Sequence, residues 1–146
     1  MAADAVIVVL AAIIERDGRI LLTRRAAGTH LGGLWEFPGG KCEPGETHDA
    51  CLQREIDEEL GADATVGDEV LVTEHAYRER TVRLHFRRCT ISGDPIARLG
   101  QEMKWATRDD LAALEFPAAD RELIQLLTEN HSGSDFHRQK RKSLPE

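Results

Sequence analysis

Apolar residues crowd the first segment of the chain, Ala5-Val-Ile-Val-Val-Leu-Ala-Ala-Ile-Ile14, with little alternation. A run so rich in β-branched residues, ending at Arg16-Asp17-Gly18, predicts a buried strand over Ala5–Glu15 and a hairpin into Arg19–Arg24. After a glycine-rich stretch, Gly28 to Gly33, a short strand is expected at Leu34–Phe37. The period then changes. Leu52, Ile56 and Leu60 recur every fourth residue, the apolar stripe of a helix over about Thr47–Leu60 that can bury against a sheet. Extended segments follow near Thr65–His75 and Thr81–Ser92. In the second, Val82, Leu84 and Phe86 alternate with Arg83, His85 and Arg87, and the pattern slips at Arg88 before resuming at Cys89 and Ile91, which reads as a β-bulge. A strand at Met103–Ala106 leads to a helical turn with Thr107 as N-cap, and a last helix spans about Ala118–Leu127 with Leu123, Leu126 and Leu127 inward. A helix between strands and another at the end predict a mixed α/β sheet covered on both faces.

Composition narrows the function classes. The 146 residues fit one domain, and 41% hydrophobic with 31% charged residues fits a globular protein. A net charge of −7 excludes a general nucleic-acid coat, which needs a basic footprint. The cysteines, Cys42, Cys51 and Cys89, are odd in number and form no Cys-x-x-Cys pair, so a reduced, cytoplasmic setting is expected rather than a disulfide scaffold. The apolar start has no basic residues before it and is shorter than the ~20 residues of a membrane helix, so no membrane partner is expected. The folded domain is placed at residues 1–130. Residues 131–146 read as a polar tail with a basic cluster at Arg138, Lys140, Arg141 and Lys142, and no stable nucleic-acid partner is assigned to it.

Candidate chemistry concentrates in one helix. Glu55, Glu58 and Glu59 fall within an arc of roughly 100°, with Arg54 the one cation interleaved. Carboxylates stacked in this way cost a few tenths of a kcal/mol per pair unless something neutralises them. A hard divalent cation does so, because Mg²⁺ favours carboxylate and carbonyl oxygens and keeps substrate phosphates in its shell. The flanks add order: a Gly39-Gly40 turn before the helix, a second turn at Pro44-Gly45, and Gly61 where a left-handed residue stops it.

The spacing Gly40-x5-Glu46-x7-Arg54-Glu55-Ile56-x-Glu58-Glu59-x-Gly61-Ala62 resembles the Nudix box, with every fixed position filled. The resemblance extends over most of residues 5–127. Leu21-Leu22-Thr23-Arg24-Arg25, the stretch from His30 to Lys41, and Phe116-Pro117-Ala118-Ala119-Asp120 are similar to the MutT branch. It implies a Nudix-type α/β/α sandwich and a Mg²⁺-dependent enzyme, with Mn²⁺ able to replace Mg²⁺. That enzyme cleaves a nucleoside triphosphate to monophosphate and pyrophosphate. Glu58, Glu59 and the Gly39 carbonyl are implied as metal ligands. Glu55 is implied as either a ligand or the base that orients water. Arg54 is implied as a partner that holds a carboxylate in place, and Glu46 as an organiser of the loop entering the helix. Asp120 matches the position that reads the base edge, and it could equally cap the last helix. Arg25 is assigned to phosphate or base, or to a solvated strand end. Phe37 and Tyr77 are expected to sandwich the base, or to be a core and a loop aromatic. Lys41 and Arg80 are further candidate phosphate contacts, while His30 and His85 are expected to be surface or hydrogen-bonded histidines.

One position departs from the pattern. Many relatives carry a glutamate just before the Gly-Gln that corresponds to Gly100-Gln101, and here it is Leu99; either Glu102 replaces it at the metal or the site has one carboxylate fewer. A P-loop fails because Trp35 and Cys42 stand where glycine and serine or threonine are needed, and no His/Cys spacing fits tetrahedral zinc. The expected substrate is an oxidised guanine nucleotide such as 8-oxo-dGTP. The alternatives are (d)CTP, a nucleoside diphosphate derivative such as ADP-ribose, and a non-catalytic nucleotide-binding module.

Overall fold

The computed structural model describes residues 5–25 and 33–129, so the expectations for His30, for most of the glycine-rich loop and for the 131–146 tail lie outside the described residues. The strands are β1 (Ala5–Arg16), β2 (Arg19–Arg24), β3 (Trp35–Glu36), β4 (Gly39–Lys41), β5 (Asp63–Ala76), β6 (Arg80–Ser92) and β7 (Glu102–Ala106). The helices are α1 (His48–Leu60), α2 (Arg108–Ala113) and α3 (Arg121–Glu129), the last entered through a 3-10 turn at Ala118–Asp120. Asp17 and Gly18 turn β1 into β2 with φ of 55° and 75°, the two successive left-handed residues that a tight type I′ hairpin turn requires.

β1 is the centre of the molecule. It runs parallel to β6 and antiparallel to β4, while β5 pairs antiparallel with β6. β2 leaves β1 at the hairpin and carries β3 and β7, both antiparallel. The sheet is therefore mixed, and helices cover both faces. Leu10, Ala12 and Ile14 pack under α1 with Leu52, Ile56 and Leu60. Ala11 and Ile13 face the other core, with Leu84, Phe86, Leu111, Leu123 and Leu127. Two dry faces explain why the β1 sequence is continuously apolar. Leu52 and Ile56 are fully buried, and truncating either to alanine would cost about 2–5 kcal/mol.

Two expectations are corrected here. The slip at Arg88 is not a bulge in β6, whose parallel ladder with β1 runs unbroken from Arg80 to Cys89. Leu84 and Phe86 serve one core, while Cys89 and Ile91 serve the other, so the apolar parity changes because both faces are buried. The irregularities lie in β5, between Val66 and Glu69 and between Glu69 and Leu71. The second correction concerns the cysteines. Cys42, just past β4, and Cys51, in the second turn of α1, form a disulfide with Cα atoms 5.2 Å apart. Their nine-residue separation hides a proximity that only the packing of α1 against β4 creates. Cys89 is a free, buried thiol whose pKa burial pushes up to about 12.

Candidate active site

The helix carrying the acidic residues is fixed at both ends. Thr47 Oγ1 accepts the Ala50 N–H at 3.1 Å, and Gly61 ends the helix at φ 62° with its N–H on the Asp57 carbonyl. With the apolar stripe against the sheet, Glu55 and Glu59 lie toward β4, while Glu58 stays 57% exposed.

The two glycines of β4 are required by two different contacts. A Cβ on Gly39, whose φ is 152°, would meet the Leu10 carbonyl oxygen of β1 at 2.0 Å. A Cβ on Gly40 would meet the Glu55 carboxylate, with Cδ at 2.4 Å. The first glycine lets β4 approach β1, and the second makes room for an acid.

Arg54 binds this acidic group together. Its Nε and Nη2 donate to the two Glu46 carboxylate oxygens at 2.7 and 2.9 Å, a bidentate fork. Nη2 also reaches the Lys41 carbonyl at 3.1 Å, and Nη1 donates to Glu55 at 3.1 Å and Glu58 at 3.4 Å. Glu46 takes a further bond from the Glu43 N–H. The Arg54 guanidinium holds the Glu46 carboxyl down to about 2, and the same contacts raise the pKa of Arg54. Glu46 and Arg54 thus tie the 41–46 loop to α1.

Beside this network is a cleft of about 100 Å³, bordered by Arg25, Glu36, Phe37, Gly39, Glu59 and Gln101. Burial, then the neighbouring Glu55, pushes the Glu59 carboxyl up to about 8, partly offset by a bond from the Gly39 N–H. Burial also raises Glu55, against the pull of Arg54. Asp120 is buried and pushed up to about 7, by burial first and Glu36 second. Arg25 pairs with Glu36 at 2.9 Å at the mouth. Gln101 Nε2 donates to the Glu59 carbonyl at 3.0 Å, and the Arg98 N–H adds a second bond to the same oxygen at 3.1 Å.

This donor set fits a hard divalent cation. Two carboxylates are crowded and desolvated, and burial raises the pKa of both, Glu59 to about 8, for lack of positive charge around them. A cation among oxygen donors supplies that charge.

Several site residues lie elsewhere. Glu102 pairs with Arg24 on the adjacent strand and is outside the residues lining the cleft, whereas Leu99 lines it while remaining 69% exposed. Phe37 is buried, stacked on Phe116 at 5.7 Å and edge-on to Phe86, so it serves core and cleft together. Tyr77 is exposed at the β5–β6 turn, where its N–H donates to the Arg80 carbonyl. Arg80 pairs with Ala5 and Gly39 with Ala11, six positions along β1, or about 20 Å. Tyr77 and Arg80 therefore stand away from Phe37, and no aromatic sandwich forms. Lys41 is exposed and lines a larger cavity of about 510 Å³, bounded by Val6, Val8 and the 42–46 loop. That cavity lacks Glu55, Glu58 and Glu59, whereas Glu59 lines the smaller cleft beside Gly39. Asp120 does not start the last helix as its cap; it closes the 3-10 turn with its N–H on the Pro117 carbonyl. The sequence reading assigned no role to Glu36, although it sits in the Leu-Trp-Glu-Phe-Pro-Gly-Gly stretch, nor to Gln101.

Comparison with known proteins agrees with this geometry. A family-wide profile described as NUDIX domain matches residues 9–126. The chain is 43% identical over 112 residues to the CTP pyrophosphohydrolase of Escherichia coli (strain K12), covering 76% of this chain and 82% of that protein. It is 36% identical over 130 residues to the 8-oxo-dGTP diphosphatase of Haemophilus influenzae, covering 87% and 96%. The solution structure of the E. coli ORF135 protein superposes with a TM-score of 0.76 at 35% identity, covering 98% of this chain and 96% of that one. The chain belongs to the Nudix hydrolase family, in its MutT-like branch.

Proposed function

We propose that the protein is a Mg²⁺-dependent nucleoside triphosphate pyrophosphohydrolase that releases a nucleoside monophosphate and pyrophosphate and so acts on the nucleotide pool. The observation that carries this reading is the desolvated Glu55–Glu59 pair beside Gly39 and Gly40, next to a cleft whose Glu36 acts electrostatically on a buried acid, Asp120. Glu55, Glu58, Glu59 and the Gly39 carbonyl are the residues that would hold the ion. The ion supplies charge neutralisation of the phosphates and a more acidic bound water. The protein's own residues do the rest. Arg54 fixes the direction of Glu55, leaving that carboxylate able to accept a proton from water. Arg25 is positioned at the cleft mouth to meet an anionic phosphate or the base. Gln101 anchors the last turn of α1 through the Glu59 carbonyl.

Asp120 supports reading of the base edge. A carboxyl near pKa 7 presents one O–H donor and one acceptor when protonated, and two acceptors when ionised. The protonated form matches a base edge with a donor beside an acceptor, which an oxidised guanine offers and cytosine also offers. An oxidised guanine nucleotide is the first reading. Cytidine triphosphates are the second, favoured by the 43% identical relative named CTP pyrophosphohydrolase.

The test is a panel of canonical and oxidised nucleoside triphosphates with ADP-ribose as a control, read by pyrophosphate release. The reading expects pyrophosphate from triphosphates, with kcat/KM highest for 8-oxo-dGTP. Turnover of ADP-ribose alone would contradict it.

A further inference from the structure

At the opposite end of α1 from Glu59, about 16 Å along the helix axis, a second group of ligating side chains gathers. The ring of His48, the first residue of α1, lies 4.4 Å from that of His85 on β6, centroid to centroid, tilted by 56°. His85 Nδ1 is 2.6 Å from Glu69 Oε1 on β5. One ligand atom from each of His48, Glu69 and His85 lies within 4.8 Å of the other two. Among the described residues, the His48 ring makes no hydrogen bond that would explain its place as part of a closed polar network.

The β5 ladder gives an independent reason to regard this gathering as built. Val66 pairs with Cys89 and Glu69 with Arg87, so β5 spends one residue more than β6 between those pairs. In a regular ladder, Asp68 would stand opposite Arg87. The inserted residue puts Glu69 there instead, on the face that Arg87 shares with His85. A second shift follows at once, between Glu69 and Leu71. Two irregularities that flank one residue re-aim one side chain, and such bulges cluster beside functional sites.

We propose that His48, Glu69 and His85 form a second divalent-cation site, selective for Zn²⁺ or a similar transition-metal ion and separate from the acidic site at Glu55 and Glu59. Two imidazoles with one carboxylate suit zinc, cobalt or nickel, whereas Mg²⁺ prefers an all-oxygen shell. Around a tetrahedral zinc with bonds of about 2.0–2.1 Å, ligand atoms stand about 3.4 Å apart, so the His85–Glu69 contact at 2.6 Å must open by about 0.8 Å and the wider pairs close by up to about 1.4 Å. Rotation of the His48 and Glu69 side chains covers those distances. Three protein ligands leave a fourth position, and because His48 also lines the cavity of about 510 Å³, that position is open to solvent. The neighbouring cation, Arg87, is held by other partners: its guanidinium donates to the Gly67 carbonyl at 3.0 and 2.7 Å and faces Asp49 at 3.8 Å. A bound ion would clamp the first turn of α1 to the β5–β6 pair. The zinc spacing is invisible in the sequence because the ligands come from three elements and the bulge decides which residue of β5 takes part.

The experiment is calorimetric titration of Zn²⁺ into full-length protein saturated with Mg²⁺, with the Cys42–Cys51 bridge verified by thiol count. The proposal expects one Zn²⁺ per chain at a Kd of micromolar order and a Tm rise of roughly 5 °C at saturation. It also expects tetrahedral visible absorption bands when Co²⁺ replaces Zn²⁺. His48→Gln and Glu69→Gln, both on partly exposed side chains, should each weaken Zn²⁺ binding at least tenfold while Mg²⁺-dependent hydrolysis stays within about twofold. Absence of Zn²⁺ binding at 100-fold excess would overturn the site, as would binding that both variants retain. Binding abolished by Cys42→Ser but kept in His48→Gln would place the ion on the thiols and overturn it equally.

Discussion

The Glu55 carboxylate lies directly over the α-carbon of Gly40, so close that a methyl group on residue 40 would fall 2.4 Å from the Glu55 Cδ and 2.5 Å from its Oε1. Gly40→Ala must therefore displace Glu55, since the opposing atoms are the acid itself. The expected result is a loss of about 10²-fold or more in kcat, because a misplacement near 1 Å at a reacting group costs that much. Tm should fall by only a few degrees, as residue 40 is on a short, partly exposed strand. Near-parental kcat in Gly40→Ala would show that the Glu55 position is irrelevant to turnover.

Arg54 acts through its neighbours. Arg54→Lys keeps a cation but loses the bidentate fork to Glu46 and the simultaneous reach to Glu55 and Glu58. A decrease of about 10–100-fold in kcat with KM nearly constant is expected from steady-state kinetics, the range seen when a residue that orients metal ligands is altered. An effect confined to KM would mean that Arg54 meets substrate instead.

Asp120 makes a pH prediction with a definite sign. Its carboxyl has a pKa of about 7 in the folded protein against 3.8 ordinarily, so between those values the folded state holds more protons than the unfolded one. Its contribution to stability therefore declines as pH rises from about 4 to 7 and stays flat above. Asp120→Asn removes that slope. The pKa difference corresponds to at most about 4 kcal/mol, and about half of that is expected after relaxation of the surroundings of the buried acid. Urea denaturation should find the variant more stable than the parent by about 2 kcal/mol at pH 8 and equal to it at pH 4. Parallel stability curves for the two proteins would refute the raised pKa. The same variant should change KM and base preference more than kcat.

The sequence was most legible where one element carries both the pattern and the chemistry. Leu52, Ile56 and Leu60, with Thr47 and Gly61 at the ends, specify α1 almost to the residue, and Glu55, Glu58 and Glu59 travel with it. Contacts between elements were less legible. The Gly40–Glu55 approach, the Cys42–Cys51 bridge and the Arg24–Glu102 pair each depend on how a short strand docks, which no periodicity encodes. The change of apolar parity at Arg88 misled because a two-faced core and a bulge leave the same trace in one strand. Phe37 and Tyr77 are both aromatics near polar loops, and only the β1 register shows that one is in the cleft and the other far from it.

The most direct test is the Mg²⁺ dependence of pyrophosphate release by Glu59→Gln, compared with the parent under saturating triphosphate. The amide removes the charge at nearly constant shape, so circular dichroism and Tm should match or exceed those of the parent. Mg²⁺-stimulated kcat should drop by about 10³-fold, of the order expected when a charge-stabilising group is lost from a reacting centre. Unaltered Mg²⁺ stimulation in the folded variant would contradict the assignment of Glu59 to the metal, and with it the account of catalysis given above.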